Sequence, residues 1–386
     1  MDCTWKLHCM VCGADYPGLE VRCRCECGGT LEVAHDFSIL GASIELELFD
    51  RRRDSREIQD RSGVWRFSEM VLPLEATQMV SKPEGNTNLY ASKRVADYAG
   101  VEELWLKHEG ENPTGSFTDR GMTVGISVAR KLNVGHVVCA SLGNGAASLA
   151  SYAALAGLRA SVFIPEEGAK KSGLAQAVAF GARTIRVAGD YATTSQLVER
   201  ACASSGAYSL GSANPFRIEG QKSVVFELLQ DLGWEAPDWI VLPGDPTICA
   251  AVTKGLAELR RLGLIDSLPR LAIIQAAGTE FVETGHGLVE QVSVQQIMDA
   301  KAQVDAAGIG ADPTSCSTVA GVKELSGRGV IGRDERVCCI LTGHLLKDPQ
   351  SAIDYHSGAL PGIEPSYKNP PLTVPAEIDS ILRALD

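Results

Sequence analysis

Cysteine is the residue with the widest chemical range in this chain, and there are twelve in 386 residues. Six lie near the start: Cys3, Cys9, Cys12, Cys23, Cys25 and Cys27. Thiolates at C-x-x-C spacing can surround one tetrahedral ion. Cys9-x-x-Cys12-Gly and Cys27-Gly-Gly have the form of two zinc-ribbon knuckles, although Arg24 stands where a third cysteine is expected, between Cys23 and Cys25. The expected ligands of a structural zinc are Cys9, Cys12, Cys25 and Cys27, with Cys23 the alternative to Cys25; the other reading is a vestigial ribbon that binds no metal. Cys338 and Cys339 in RVCCIL, and Cys202, read as core residues. Cys139, Cys249 and Cys316 each adjoin a polar loop: SLGN, GDPT and DPTSC. For Cys249 and Cys316 the open readings are a cofactor ligand or nucleophile, inert packing as a small hydrophobe, or a redox-labile pair. Cys139 is the weakest of the three.

The elements that must position these groups are legible around Lys107 to Met122, KHEGENPTGSFTDRGM. NPTGSF is loop chemistry: Asn112 and Pro113 open a turn, and Gly115 and Ser116 end it at a helix start. DRGMTVGISVARKL continues as that helix, with Val124, Ile126, Val128 and Leu132 among its apolar positions. From Leu104 onward, short apolar runs alternate with helical patterns: LWLKHE, HVVCAS, ASVFIP, TIRVAG, WIVLPG, LAIIQA and VCCILTG. That alternation predicts βαβ units and a parallel sheet. In such sheets ligands bind beyond the carboxyl ends of the strands, where SLGN, GDPT and TGH fall. Phe37 to Val71 reads as a charged, mostly solvated connection.

The length suits two domains. A net charge of −12 argues against nucleic acid or an anionic membrane as partner. No apolar run reaches membrane-spanning length, and MDCTWKLHCMVCG lacks the apolar core of an export leader. A cytoplasmic protein with reduced thiols is expected.

With these residues in view, KHEGENPTGSFTDRGM resembles the active-site segment of threonine synthase, a pyridoxal-phosphate enzyme of fold type II. In that family the segment reads NPTGSFKDRGM, and its lysine holds the coenzyme as a Schiff base. The matching position here is Thr118, whose hydroxyl cannot form an imine. EGNTNLY (Glu84 to Tyr90), NPFRIEGQKSVVFELLQDLGWEAPDW, DPTSCSTVAGVKEL, LTGHLLKDP and the ending VPAEIDSILRAL also resemble family segments, so the likeness spans nearly the whole chain. It implies an α/β fold of the tryptophan synthase β type, with two open parallel-sheet domains and an N-terminal zinc-ribbon-like element. The implied divisions are 1–36 for the ribbon, 37–130 plus 215–386 for a large domain and 131–214 for a small one. It also implies a homodimer.

The resemblance places four sites. Beside Thr118 there is the phosphate loop, here Gly244-Asp245-Pro246-Thr247-Ile248, in which Pro246 has no N–H and Asp245 brings negative charge. The substrate-carboxylate loop is Ser141-Leu142-Gly143-Asn144-Gly145; Ser141, Gly143 and Asn144, with Thr87 in EGNTNLY, are the expected substrate contacts. Thr342 is the residue facing the pyridine nitrogen. The fold type would also bring Cys139, Cys249 and Cys316 to one cleft, where three thiolates with an open position suit an iron–sulfur cluster (4Fe-4S) or a zinc ion. The resulting expectation is a metal- or cluster-dependent lyase or sulfur-transfer enzyme, with Cys249, Cys316 and Thr118 as its catalytic positions. Its substrate would be a small carboxylate, phosphate or sulfonate, possibly of coenzyme M type. Two alternatives are non-covalent use of pyridoxal phosphate and a non-catalytic binding or partner subunit. His108 and Glu109 would shape the loop, Asp119 and Arg120 would form a structural ion pair or helix-start contacts, and His344 would sit near the site. Lys222 is no obvious substitute for the missing lysine.

Overall fold

In WKLHC and LEVAH, buried and partly exposed side chains alternate, the period of a half-buried strand. These become β1 (Trp5–Cys9) and β3 (Leu31–His35), antiparallel partners with β2 (Asp15–Pro17) on the outer edge. This three-stranded ribbon opens a computed structural model that describes residues 4–41, 44–167, 171–279 and 287–385. Cys3 lies outside the described residues.

Beyond the ribbon, β4 (Leu89–Ala91) pairs antiparallel with β5 (Glu103–His108). The chain then leaves this sheet through a loop and the Thr118–Lys131 helix to build a second one. Its strands are β6 (His136–Ala140), β7 (Arg159–Pro165), β8 (Arg183–Val187) and β9 (Tyr208–Ser209), all parallel, in the order β8-β7-β6-β9. The helices Pro215–Gln221 and Ser223–Asp231 lead back. The strands β10 (Trp239–Pro243), β11 (Arg270–Ala276), β12 (Leu288–Val292) and β13 (Arg336–Leu341) complete a six-stranded sheet, β12-β11-β10-β13-β5-β4, parallel except at β4. Every apolar run expected to be a strand is one, because Val, Ile and Leu buried on both faces suit a covered parallel sheet.

Strand pleating divides the core. Ile240 and Leu242 of β10 join a cluster that includes residues of the Pro246–Arg261 helix, while Trp239 and Val241 join one that includes residues of the Pro313–Gly327 helix. The Thr118–Lys131 helix is buried along most of its length. Its close packing on Pro215–Gln221 depends on glycine: a Cβ at Gly220 would lie 1.9 Å from the Arg120 carbonyl oxygen.

The 37–71 stretch is less solvated than expected. Val64, Trp65, Arg66, Phe67, Met70 and Val71 are buried, Trp65 Nε1 donates to Thr123 Oγ1 at 2.8 Å, and Arg66 pairs with Glu227 at 3.1 Å. The charged composition of its surroundings concealed a short aromatic anchor. No helix of the described residues is long and apolar enough to cross a membrane.

Candidate functional site

Two helix starts meet at the mouth between the sheets. Thr118 opens its helix after the Phe117 N–H donates to the Thr342 carbonyl at the end of β13, at 3.0 Å. The Thr118 hydroxyl, on a residue 8% exposed, lies 3.1 Å from Ser116 Oγ and 3.5 Å from the Asn144 carbonyl oxygen. Asn144 is the first residue of the second helix, Asn144–Ala156. Ahead of it, Ser141 Oγ accepts the N–H groups of Gly143 (3.1 Å) and Ala146 (3.0 Å), fixing the loop. Gly173 closes against the same loop; a Cβ there would come within 2.3 Å of Gly143 Cα. Ser315 Oγ lies 3.4 Å from Thr342 Oγ1 and accepts the Gly343 N–H at 2.9 Å. The structure thus gathers Thr118, Ser141, Gly143, Asn144 and Thr342 at one junction.

A buried charge network holds the loop that delivers Thr118. Arg120 pairs with Glu109 (2.6 Å) and Glu227 (2.9 Å), and Lys107 with Glu227 (2.6 Å). Burial alone would raise the Glu227 carboxyl, yet Arg120, Lys107 and Arg66 hold it well below the usual range. Thr87 belongs to this network instead of contacting substrate as expected: its hydroxyl donates to Glu109 Oε1 at 2.7 Å and its N–H to Glu227 Oε1 at 3.0 Å. Asp119 does not pair with Arg120. Its carboxylate accepts from the Thr114 N–H (2.6 Å), Thr114 Oγ1 (2.7 Å) and Ser148 Oγ (2.5 Å), and burial pushes its pKa up to about 6. His108 Nε2 donates to the carbonyls of Ile309 and Gly310, shaping the loop. His344 Nδ1 accepts the Leu346 N–H at 3.0 Å. Sequence reasoning missed the Lys107–Glu227–Arg66 links; charges inside apolar stretches were the available clue.

At the Pro246–Arg261 helix the chain supplies its own cap. Asp245 Oδ1 accepts the N–H of Thr247 (2.7 Å), the Thr247 hydroxyl (2.5 Å) and the N–H of Ile248 (3.4 Å). Pro246 has no N–H to offer, and the Cys249 N–H bonds back to the Asp245 carbonyl.

The three cysteines expected to share a cluster do not converge. Cys249 packs in the core on one face of the six-stranded sheet, Cys316 in the core on its other face, and Cys139 in the core of the four-stranded sheet. Their thiols point at different carbonyls, those of Pro243, Ala311 and Gly145. Burial pushes the Cys139 and Cys249 thiols up to about 12 and Cys316 well above its usual range, the opposite of thiolate activation. The iron–sulfur or zinc centre expected at these residues therefore has no ligand set, and Cys249 and Cys316 have no catalytic geometry.

The ribbon differs. Ligand atoms of Cys9, Cys12, Cys25 and Cys27 all lie within 4.8 Å of one another. The Cys9–Cys27 and Cys12–Cys25 sulfur pairs are 3.6 and 3.5 Å apart, near the ~3.8 Å edge of a tetrahedron with Zn–S of about 2.3 Å. Cys25, not Cys23, completes the set: Cys23 turns away to the Ser209 carbonyl at 3.3 Å, and Arg24 pairs with Glu199 at 2.7 Å. A second group, His35, Glu219 and Glu258, already encloses a cation, since Lys222 pairs with Glu219 and with Glu258 at 2.6 Å. Lys222 is thus committed to docking the ribbon.

This architecture is that of the fold-type II class, and residues 80–287 match the family described as pyridoxal-phosphate dependent enzyme. The chain belongs, within that class, to the threonine synthase family. It is 37% identical to the threonine synthase of Methanosarcina acetivorans, over 99% of this chain and 98% of that one. It is 36% identical to that of Methanocaldococcus jannaschii, over 90% of this chain and 94% of that one. The processed form of threonine deaminase isoform 2 from Solanum lycopersicum superposes with a TM-score of 0.59 at 15% identity, covering 75% of this chain and 92% of that one; at that identity the likeness speaks to the fold alone.

Pyridoxal phosphate, the coenzyme of that class, fits these residues poorly at two points. Thr118 offers a hydroxyl where the resemblance places the amine, and the N–H groups of Thr247 and Ile248 are taken by Asp245. Thr342 follows directly on β13, and its carbonyl accepts the Phe117 N–H.

Proposed function

We propose that this chain binds a small carboxylate or sulfonate at the Ser141–Asn144 loop and works without a Schiff-base-held coenzyme. The observation that carries the reading is Thr118. Its hydroxyl stands between Ser116 and the Asn144 carbonyl, and Lys107 and Lys222 are committed to buried ion pairs. The binding half of the site is better kept. Gly143, the N-cap of the Asn144–Ala156 helix, adds no side chain, and in the first turn the Ala146 N–H donates to Ser141 Oγ; the helix dipole favours an anion at this end. Ser141 holds that loop in shape from below.

Calorimetry against a panel of small amino acids, dicarboxylates and sulfonates tests this reading. At least one should bind, and Ser141→Ala should weaken it tenfold or more without changing the far-UV spectrum. A protein that binds none of them, and that makes threonine once pyridoxal phosphate is supplied, would return the chain to the ordinary activity its relatives' names describe.

A further inference from the structure

We infer that the Asp245 carboxylate is a built-in anion, standing in for a ligand's phosphate at the start of the Pro246–Arg261 helix. A helix start has unpaired N–H groups and a positive dipole end, and it attracts a phosphate when those donors are open. Here none is open in the first turn. Thr247 and Ile248 both donate to Asp245 Oδ1, the Thr247 hydroxyl does the same, and Pro246 has nothing to donate.

Arg217 is a buried cation on the neighbouring Pro215–Gln221 helix. It is 7% exposed, its Nη1 reaches the Leu210 carbonyl at 3.3 Å, and its Nε has no hydrogen-bond partner. Among the described residues it makes no salt bridge. Burial pulls its pKa down, and the Asp245 charge is among the influences that act against that pull. A buried cation without a close counter-ion is costly. An incoming phosphate would meet the Asp245 charge, with the first-turn donors of the Pro246–Arg261 helix already taken. Asp245 thus acts as a specificity residue that turns phosphorylated ligands away.

The test uses inorganic phosphate, which carries no aldehyde, so its result is read separately from anything Thr118 does. Titrating the full chain by calorimetry, wild type should show no phosphate binding. Asp245→Gly, which keeps a tolerated N-cap, should bind phosphate at least tenfold more tightly than wild type, and pyridoxal phosphate likewise. Asp245→Asn keeps a capping side chain without the charge, so it guards against a misfolded glycine variant; it should show a smaller gain. Wild-type protein that binds phosphate as tightly as Asp245→Gly, or folded variants that both gain nothing, would overturn the inference.

Discussion

Thr118 and Asp119 sit side by side, and their environments assign them different parts. The Thr118 hydroxyl joins the two helix starts through Ser116 and Asn144. Asp119 carries a carboxyl raised from 3.8 to about 6 by burial, despite hydrogen bonds from Ser148 and Thr114. Because its folded pKa is the higher one, the folded chain keeps a proton between about pH 4 and 6 that the unfolded chain has released. Stability from this group therefore falls as pH rises through that window, by roughly 3 kcal/mol at ~1.36 kcal/mol per pKa unit. Urea unfolding at pH 4 and pH 7 should show Asp119→Asn gaining about that much relative to wild type at the higher pH; parallel pH dependences would refute the assignment. Glu219 has the opposite sign. Lys222 and Lys254 overcome burial and hold it near 2, so its contribution is present above about pH 4.5 and lost as pH falls toward 2. Glu219→Gln should cost about 3–5 kcal/mol at pH 7, the usual loss when one partner of a buried ion pair is removed, and should flatten the acid limb of the unfolding curve.

Elements were easier to read from the sequence than the directions of their side chains. The alternating apolar runs located the parallel strands, and NPTGSF located the helix that begins at Thr118. The cysteine reading failed because loop position along the chain does not say which face of a sheet a neighbouring helix covers. Cys249 and Cys316 both follow the ends of strands or loops near the cleft, yet they lie in cores on opposite faces of one sheet, just as adjacent Cys338 and Cys339 do. Thr87 was placed at the right turn, but its hydroxyl is spent on Glu109. Asp245 was read as a repulsive charge; the Asp-Pro-Thr pattern, an N-cap followed by proline at the first helical position, already pointed to a cap. Gly220→Ala should separate the Pro215–Gln221 and Thr118–Lys131 helices and cost at least about 2 kcal/mol in chemical denaturation, since its Cβ would sit 1.9 Å from a carbonyl oxygen. The ribbon should take up one zinc per chain, seen by metal analysis. A chelator should lower Tm, and Cys9→Ser should lower it similarly without any added chelator.

Across the whole molecule, a threonine synthase scaffold is retained at 36–37% identity to two archaeal relatives, and Thr118 stands where the resemblance places the family's coenzyme-holding lysine. The two parallel sheets, the buried Arg120–Glu227 network and the docked ribbon all preserve the framework that presents the Ser141–Asn144 loop. The proposed loss of a Schiff-base-held coenzyme turns on Thr118 and Asp245. Incubation with pyridoxal phosphate, borohydride reduction and peptide mass mapping test that most directly. Wild-type chain should carry no stoichiometric adduct, whereas a Thr118→Lys, Asp245→Gly variant should carry one on the introduced lysine. A stoichiometric adduct on a single native lysine of the wild-type chain would contradict the account.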